Sequence, residues 1–467
     1  MKLVLEKIYF CTGARNHDLL KAFGNYCLEF EYDERMASFK ALGLAKITAA
    51  PVAICTTSGT AVAECLPALL EAKYSGVPLV LITGDRPKKL HATGSPQTID
   101  HQALTACARG SYFEVSLEEL DSLELSGAVY PVHINVLVDD TTAHQLQIKS
   151  PATLQSFSLF LGQHEKPLFI FSHEEMSMRP FVEKFAQTGL PFYAEALSGG
   201  RHLSVIKSER DLIKLWDGGT FDCVVRVGHT PLSKIWRLLE RRHLDAFHFD
   251  TRGLSGLSYG EVSTLSSRKL LTCEEFWAGI ARIVPFTLPS PASANLQELQ
   301  DKYPHSEVSM MKQVHDRITP DDVVYLGNSL IIRNFELVLD RPLTLYGSRG
   351  VNGIDGQLAT AIGIAQGTSK RVYCILGDIT TLYDLSSMRE MPENLRLIII
   401  NNKGGRIFDL LKLDRRIVLE HQVSFGSISR GFGLKYSQDL ADLEHVAVVE
   451  LNPSLEESEL FQKGWLE

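Results

Sequence analysis

Short apolar runs alternate with stretches of helical period along most of this chain. "LEFEYDERMASFKALGLAKITA" predicts a strand feeding a helix, with Met36, Phe39, Leu42 and Leu44 recurring at roughly helical spacing. "PVAICTTSGTAVAECLPALLEAKYSGVPLVLITGDRP" reads as strand, turn, helix and strand, the grammar of a βαβ unit. In "TSGTA" either Thr57 or Ser58 is expected to cap the helix N–H groups, and Pro87, just after Gly84-Asp85-Arg86, forbids further ladder bonds. "PVHINVLVD" is apolar on nearly every residue, as a strand covered on both faces must be, so the sheet is expected to be parallel.

The pattern recurs twice more. Between residues 156 and 290, "PLFIFSH", "LPFYAEA", "FDCVVRVGHTPLSKIWRLLERR" and "AFHFD" form a weaker version of it. The polar, turn-rich "PSPASANLQELQDKYPHS" reads as a linker to a third unit that opens at "DDVVYLGNSLIIRNF". That unit also holds "LYGSRGVNGIDGQLATAIGIAQG", a glycine-rich turn leading into a helix of small residues able to lie close to a sheet. A chain of 467 residues is too long for one core. The expected fold class is α/β, with three doubly wound parallel-sheet domains at residues 1–155, 156–290 and 291–467.

Composition acts mainly by exclusion. With 45% apolar and 22% charged residues and a mean hydropathy of -0.01, the chain has the make-up of an ordinary globular protein. A formal charge of -9 and a pI near 6.0, with the basic residues scattered singly, argue against nucleic acid or an anionic membrane as partner. No run of about 18 apolar residues is present to span a bilayer. "MKLVLEKIYF" lacks a signal-peptide pattern, so a cytoplasmic location is expected. The eight cysteines include no C-x-x-C pair and are expected to be buried, reduced thiols rather than zinc ligands or disulfides.

Candidate chemistry concentrates in "ILGDITTLYDLSSMREMPENLRLIIINNKGG". One apolar strand runs into Gly377-Asp378 and another into Asn401-Asn402, the latter residue twenty-four positions beyond that aspartate. In an open parallel sheet, ligands sit outside the carboxyl ends of the strands. The Asp378 carboxylate, the Asn402 amide oxygen and a backbone carbonyl of the Asn402-Lys403-Gly404 turn are hard ligands, better suited to Mg²⁺ than to a transition metal. So few protein groups leave phosphate oxygens to complete the octahedron. An aspartate after a strand more often just caps the next helix, but the second arm, after another strand, weakens that alternative. Neither G-x-G-x-x-G nor G-x-x-x-x-G-K-[ST] occurs, so the usual phosphate-cradling loops are not offered.

The G-D and N-N pairs at this spacing are similar to the thiamine diphosphate motif. The wider pattern resembles the 2-succinyl-5-enolpyruvyl-6-hydroxy-3-cyclohexene-1-carboxylate synthase family of menaquinone biosynthesis. It rests on "YDERMASFKALGLAK", "TSGTAVAECLPALLEA", "LITGDRP" followed by "GSPQ", "PVHIN", "NSLIIR", "YGSRGVNGIDG", "GDITTLYDL" and "NNKGGRIFDLL", in the family's order across both outer domains. The middle region matches loosely. The resemblance implies a thiamine diphosphate-binding fold and a transferase of the carboligase type, with thiamine diphosphate and Mg²⁺ as cofactors and Mn²⁺ as an alternative metal. The implied substrates are 2-oxoglutarate, which would be decarboxylated, and isochorismate, to which the resulting carbanion would add in 1,4 fashion. The family binds its cofactor between the first domain of one subunit and the third of its partner, which implies a homodimer or homotetramer.

Site residues follow by motif. Glu34 would hydrogen-bond the cofactor's pyrimidine ring, and a carboxyl buried against an apolar strand prefers to be neutral, which helps it share a proton with the ring nitrogen. Ile354 would prop the cofactor into its bent shape. Gly377, Asp378, Asn402, Gly404 and Ile407 would line the cofactor, with Asp378, Asn402 and Gly404 on the metal. Both substrates are polyanions, which planar arginine forks suit well. The implied anion-binding set is Arg15, Arg86, Gln97, Lys234, Ser329, Arg333 and Arg349, joined by Phe408. Ser329 and Arg333 would share one helix face near its positive end. Glu34, Ser329, Arg333 and Arg349 are expected to act in catalysis. Ile407 and Phe408 would form an apolar wall beside the reacting carbons, with core packing as the alternative.

The chain departs from the family at Ala14, where a serine is common, and at Lys234-Ile235, where Lys-Arg is frequent, with Arg237 the nearest substitute. It is also shorter than is usual for the family. Two other readings stay open. An acetolactate synthase or another thiamine diphosphate-dependent oxoacid decarboxylase would usually carry glycine where this chain has Ile379, and the decarboxylases often carry a His-His pair, which is missing here. A non-catalytic phosphate-binding α/β protein would have no use for Glu34.

Overall fold

The computed structural model describes the chain apart from residues 1–4, 36, 39, 40, 42, 43, 46–49, 76, 121, 139–151, 175, 176, 232–244, 252, 256–259, 290–295, 348–352, 355, 356, 367, 411–413 and 467. Its contacts divide it into two compact units. One comprises Met1–Leu146, Ser348–Asp355 and Lys403–Val423, and the other Gln147–Gly347, Gly356–Asn402 and Ser424–Glu467.

The first unit is built on β1 (Ile8–Cys11), β2 (Leu28–Glu31), β3 (Val52–Thr57), β4 (Leu79–Asp85), β5 (Ser111–Ser116) and β6 (Val132–Leu137). They form one sheet in the order β2-β1-β3-β4-β6-β5, and every recorded pairing is parallel. Strands β1 and β5 were not anticipated, because "IYFC" is preceded by charges and "SYFEVS" mixes polar with apolar positions. The described residues between 34 and 45 are helical. Ala37, Ala41 and Ala45 supply their buried face, and side chains this small let a helix lie close on the sheet. Leu44 packs partly buried on the same core, while Met36, Phe39 and Leu42 lie outside the described residues. The expected cap is not formed. The helix Thr60–Glu64 starts from Gly59 at φ 92, with no side-chain cap bond.

In the second unit, β7 (Pro167–Phe171), β8 (Phe192–Ala194), β9 (Cys223–Val227), β10 (Asp245–Phe249) and β11 (Glu261–Ser263) make a parallel sheet in the order β11-β10-β9-β7-β8. One of its faces is filled by phenylalanines, among them Phe157, Phe169, Phe171, Phe247, Phe249 and Phe276. Phe157 stacks on Phe276 with centroids 5.3 Å apart, while the others meet at tilted or edge-on angles. The third sheet holds β12 (Val323–Leu326), β13 (Thr344–Tyr346), β14 (Val372–Gly377), β15 (Leu395–Ile400), β16 (Tyr436–Ser437) and β17 (Val448–Leu451), in the order β13-β12-β14-β15-β17-β16, again parallel.

The stretch expected to be a linker holds the helix Leu296–Lys302. Leu296, Leu299 and Tyr303 pack on the core of the third sheet, a helical spacing masked by the proline and serine residues around it. Among the described residues no helix is long and apolar enough to cross a membrane. The cysteines are free thiols, but the expectation that all are buried fails at Cys27 and Cys107, which are exposed, and at Cys273, which is half-buried.

Candidate active site

In the first unit the carboxyl ends of β1 to β4 gather one set of candidates. Glu34 opens its helix just beyond β2 and is 8% exposed, with the Thr56 hydroxyl donating to its Oε1 at 3.4 Å. Burial, reinforced by the Glu34 charge, pushes the neighbouring Cys11 and Cys65 thiols well above the ordinary range, which leaves them as packing groups. Thr57 Oγ1 and Ser58 Oγ, at the end of β3, are buried with no hydrogen-bond partner among the described residues. A buried unsatisfied hydroxyl costs about 1–3 kcal/mol, so the two are a donor set that a polar ligand would complete.

Arg15 leans on the end of β4. A Cβ at Gly84 would stand 2.8 Å from the Arg15 carbonyl oxygen, so this approach requires glycine there. Arg86 follows two residues later, buried, with its Nε donating to the Pro96 carbonyl at 2.9 Å. Gln97, next in the chain, holds φ 62. A non-glycine residue pays on the order of 1–3 kcal/mol for such a conformation, and this is commonest at functional loops. Arg86 and Gln97 are therefore brought together, with Arg15 beside them.

The segment 403–423 belongs to this unit as well. Lys403 and Gly404 turn the chain at φ 64 and 139, and a Cβ at residue 404 would meet the Val418 carbonyl oxygen at 2.7 Å. Ile407 is half-buried, while Phe408 packs with Ile417 against the apolar core around β1 and β6, the packing alternative to a wall beside reacting carbons. Ile354 is half-buried.

The second unit gathers the other set. Gly377 on β14 pairs with Ile400 on β15, so Asp378 and Asn401-Asn402 leave the sheet side by side, on strands about 4.8 Å apart. They lie next to the point where the strand order reverses, between β12 and β14. Asp378 is 2% exposed and Asn402 8%. The two asparagines have different fates. Asn401 donates to Glu450 of β17 at 2.5 Å, while the Asn402 amide nitrogen donates to Glu307. That bond turns the amide nitrogen toward Glu307 and assigns the oxygen, the end that could ligate a hard cation, to the opposite side. A Cβ at Gly377 would meet nothing within 4 Å, so there is room beside Asp378.

Across the switch point, Ser329 stands before the helix Leu330–Val338 at φ 68, and Arg333 Nη1 donates to the Ser329 carbonyl at 2.5 Å. Burial holds the Arg333 guanidinium below its ordinary range, with Glu209, Glu336 and Glu195 acting in the opposite direction. This helix is fixed on its other faces. Asn334 donates to Glu307 at 2.9 Å, and Glu336 accepts from the Tyr193 hydroxyl of the central sheet. Arg201, itself buried, donates to the Glu336 carbonyl at 3.3 Å. Lys234, with Ile235 and Arg237, and Arg349 lie outside the described residues.

Residues 2–104 match the family described as thiamine pyrophosphate enzyme, N-terminal TPP binding domain. A 2-succinyl-5-enolpyruvyl-6-hydroxy-3-cyclohexene-1-carboxylate synthase of Bdellovibrio bacteriovorus is 31% identical over 513 aligned residues, covering 99% of this chain and 95% of the relative. The chain belongs to that synthase family. Synthases of the same description from Desulfotalea psychrophila and Akkermansia muciniphila are 29% and 28% identical, covering 94% and 96% of this chain and 91% and 93% of their own lengths. The three parallel sheets with alternating helices are those of a thiamine diphosphate-dependent enzyme.

The residues present fit the cofactor such a synthase carries. The oxygen donors Asp378 and Asn402 suit a hard divalent cation, and the unpaired Thr57 and Ser58 hydroxyls lie in the same unit as Glu34. Three features of this synthase escaped the sequence reading: Glu307, the structural role of Asn401, and a buried polar chain on β4 and β6. The one available signal was in "PVHIN", whose His133 and Asn135 alternate with apolar residues on a strand otherwise built for a core.

Proposed function

We propose that the chain decarboxylates 2-oxoglutarate and joins the remaining four-carbon fragment in 1,4 fashion to isochorismate, taking up one proton and releasing one CO₂. The observation that carries this reading is the side-by-side exit of Asp378 and Asn402 at the switch point of a parallel sheet, in a chain of this family. Asp378, Asn402 and the Gly404 carbonyl would hold Mg²⁺, or Mn²⁺ in its place, against a diphosphate. When bound, thiamine diphosphate supplies a stabilised carbanion centre for the 2-oxo carbon. Glu34, buried beside the Thr56 hydroxyl, would hold a proton at the pyrimidine ring nitrogen. Ile354 would support the cofactor's bent shape.

The substrates' carboxylates call for fixed cations, and a guanidinium withdrawn from water, such as Arg333, binds an anion more strongly than an exposed one. Arg15, Arg86, Gln97, Ser329 and Arg333 would share that task with Lys234 and Arg349. Ile407, with the adjoining Phe408, would give an apolar surface. Assembly as a homodimer or homotetramer and a cytoplasmic location belong to the same proposal. The test is purified protein with Mg²⁺, thiamine diphosphate and 2-oxoglutarate, with isochorismate followed by its absorbance. Isochorismate should disappear in step with CO₂ release, and should persist when either cofactor or 2-oxoglutarate is left out. Equal turnover with pyruvate in place of 2-oxoglutarate would overturn the substrate assignment in favour of an acetolactate-type carboligase.

A further inference from the structure

Strands β4 and β6 carry a polar chain through the interior of the first unit. Thr83 pairs with Asn135 and Leu81 with His133 across the two strands, so Thr83, Asp85, His133 and Asn135 share one face of the sheet by strand alternation. The helix His101–Thr105, capped by Asp100, lays His101 and Thr105 on that face. All six side chains are buried, Asp85 and His133 to 0% exposure. Their bonds run in sequence. His133 meets Thr105 through Nδ1 and Thr83 through Nε2, both at 2.9 Å. Thr83 donates to Asn135 Oδ1 at 2.7 Å, and His101 Nδ1 lies 2.7 Å from the same oxygen. Asn135 Nδ2 then donates to Asp85 Oδ2 at 3.1 Å.

Asn135 must turn its nitrogen to the Asp85 carboxylate, so its oxygen accepts from Thr83 and from His101 Nδ1–H. Thr83, having given its proton away, accepts from His133 Nε2–H. Burial, with His101 and Arg109 adding to it, holds His133 well below its ordinary range. Against burial, which would raise it, contacts with His91, His101 and Asn135 hold the Asp85 carboxyl below its ordinary range.

The chain of bonds ends on the peptide of Arg86. Asp85 Oδ1 accepts from the Arg86 N–H at 2.7 Å, and His91 Nε2 lies 3.2 Å from Asp85 Oδ2 and 3.0 Å from the Arg86 carbonyl oxygen. Both neighbours are acceptors, so that nitrogen carries the proton. Arg86 is thus fastened at its N–H, at its carbonyl and, through Nε and Pro96, at its side chain. The loop beyond it is knit to itself, with the Thr93 hydroxyl donating to the Leu90 carbonyl at 2.7 Å and the Thr98 hydroxyl to the Ser95 carbonyl at 2.5 Å.

We propose that the Thr105–His133–Thr83–Asn135–Asp85–His91 chain is a positioning device that holds the Arg86 guanidinium and the Gln97 loop in the geometry that binds a substrate carboxylate, with His91 as its outer latch. These are positioning residues, and the claim about binding rests on the function proposed above. A rigid guanidinium binds a carboxylate with less loss of rotamer freedom than one that must be ordered by the ligand. His91 is half-buried and lies in a loop, so it can be changed without disturbing the core.

The test compares wild type, His91→Ala and His91→Gln. Glutamine restores an N–H donor to Asp85 without the imidazole. Arginine labelling by phenylglyoxal, read at Arg86 by peptide mass spectrometry, needs no turnover. His91→Ala should raise the labelling rate at Arg86 by roughly fivefold, and His91→Gln should return it near wild type. In kinetics, His91→Ala should raise KM for 2-oxoglutarate or for isochorismate by about tenfold, the scale of a lost charge-assisted contact, with kcat within about twofold. An unchanged labelling rate would overturn the latch. Faster labelling with both KM values unchanged would overturn its service to binding. If the wild type consumes neither substrate, the proposed function fails, and the labelling arm still decides whether the chain holds Arg86.

Discussion

The first and third sheets share one strand order and differ in almost everything that leaves their carboxyl ends. Numbered within each sheet, both run 2-1-3-4-6-5, with every recorded pairing parallel. From the first emerge Glu34, the Thr57 and Ser58 hydroxyls, which have no partner among the described residues, and Arg86, whose N–H is bonded to the buried Asp85 and through it to Asn135. From the third emerge Asp378 and Asn402, with Glu307 behind them and Arg333 across the switch point. On the proposed function, one scaffold would support a proton-handling end and a cation-holding end. The chemistry is set by the few residues just past each strand, because those are the positions the ladder does not consume.

Substitutions at the two ends separate these roles. Asp378→Ala should have the largest effect. Loss of a carboxylate from a hard-cation site should abolish Mg²⁺-dependent binding of thiamine diphosphate by calorimetry and lower turnover on the order of a thousandfold. Retained binding would place the cation elsewhere and collapse the contrast between the sheets. Glu34→Gln should lower CO₂ release about 10²–10⁴-fold while cofactor affinity stays within roughly tenfold, since it removes a proton-handling group and leaves the cation site alone. If affinity fell as far as rate, the first sheet would be a binding end too.

Smaller effects sharpen the comparison. A glutamine at 307 can accept from only one of Asn402 and Asn334, so Glu307→Gln should weaken Mg²⁺ binding about tenfold, read by metal titration of the purified protein. The smallest expected effect concerns the segment 403–423. The Arg416 side chain and backbone N–H hold the Asp414 carboxyl down at about 2, and Arg416 lies 5.3 Å over the Phe30 ring beside the first sheet. A carboxyl depressed in the folded state stabilises above its unfolded value, so the contribution is present at neutral pH and lost as pH falls from about 4 through 2. The pair is solvent-screened, so Asp414→Asn should cost about 0.5 kcal/mol at pH 7 and only a small part of that at pH 2, by thermal melts at the two pH values.

Much of the architecture was legible because its signals are local. Strands such as "VAICTT", "VYCILG" and "LRLIII" are apolar throughout, and strands buried on both faces read that way wherever they occur. Strands with mixed faces were missed, as at Ser111–Ser116, and so was the helix Leu296–Lys302 beneath its proline and serine surroundings. The position of Asp378 and Asn402 at strand ends was legible because each follows an apolar run directly. The partners that fix the two asparagines, Glu450 and Glu307, were not, since both lie far along the chain.

By itself the sequence determined three rounds of strand and helix, the oxygen-bearing side chains at two strand ends and the family they point to, since periodicity and strand-end residues are properties of neighbouring positions. Only the tertiary structure decided that the outer sheets share one order, that Phe408 and Ile417 join the core around β1 and β6, and that Arg86 is latched by Asp85, Asn135 and His91. Asp85 lies 50 positions from Asn135, and Glu307 lies 95 from Asn402. A buried polar group must find its partner in space, and nothing in the local pattern of apolar and polar residues records which distant side chain folding will bring to it.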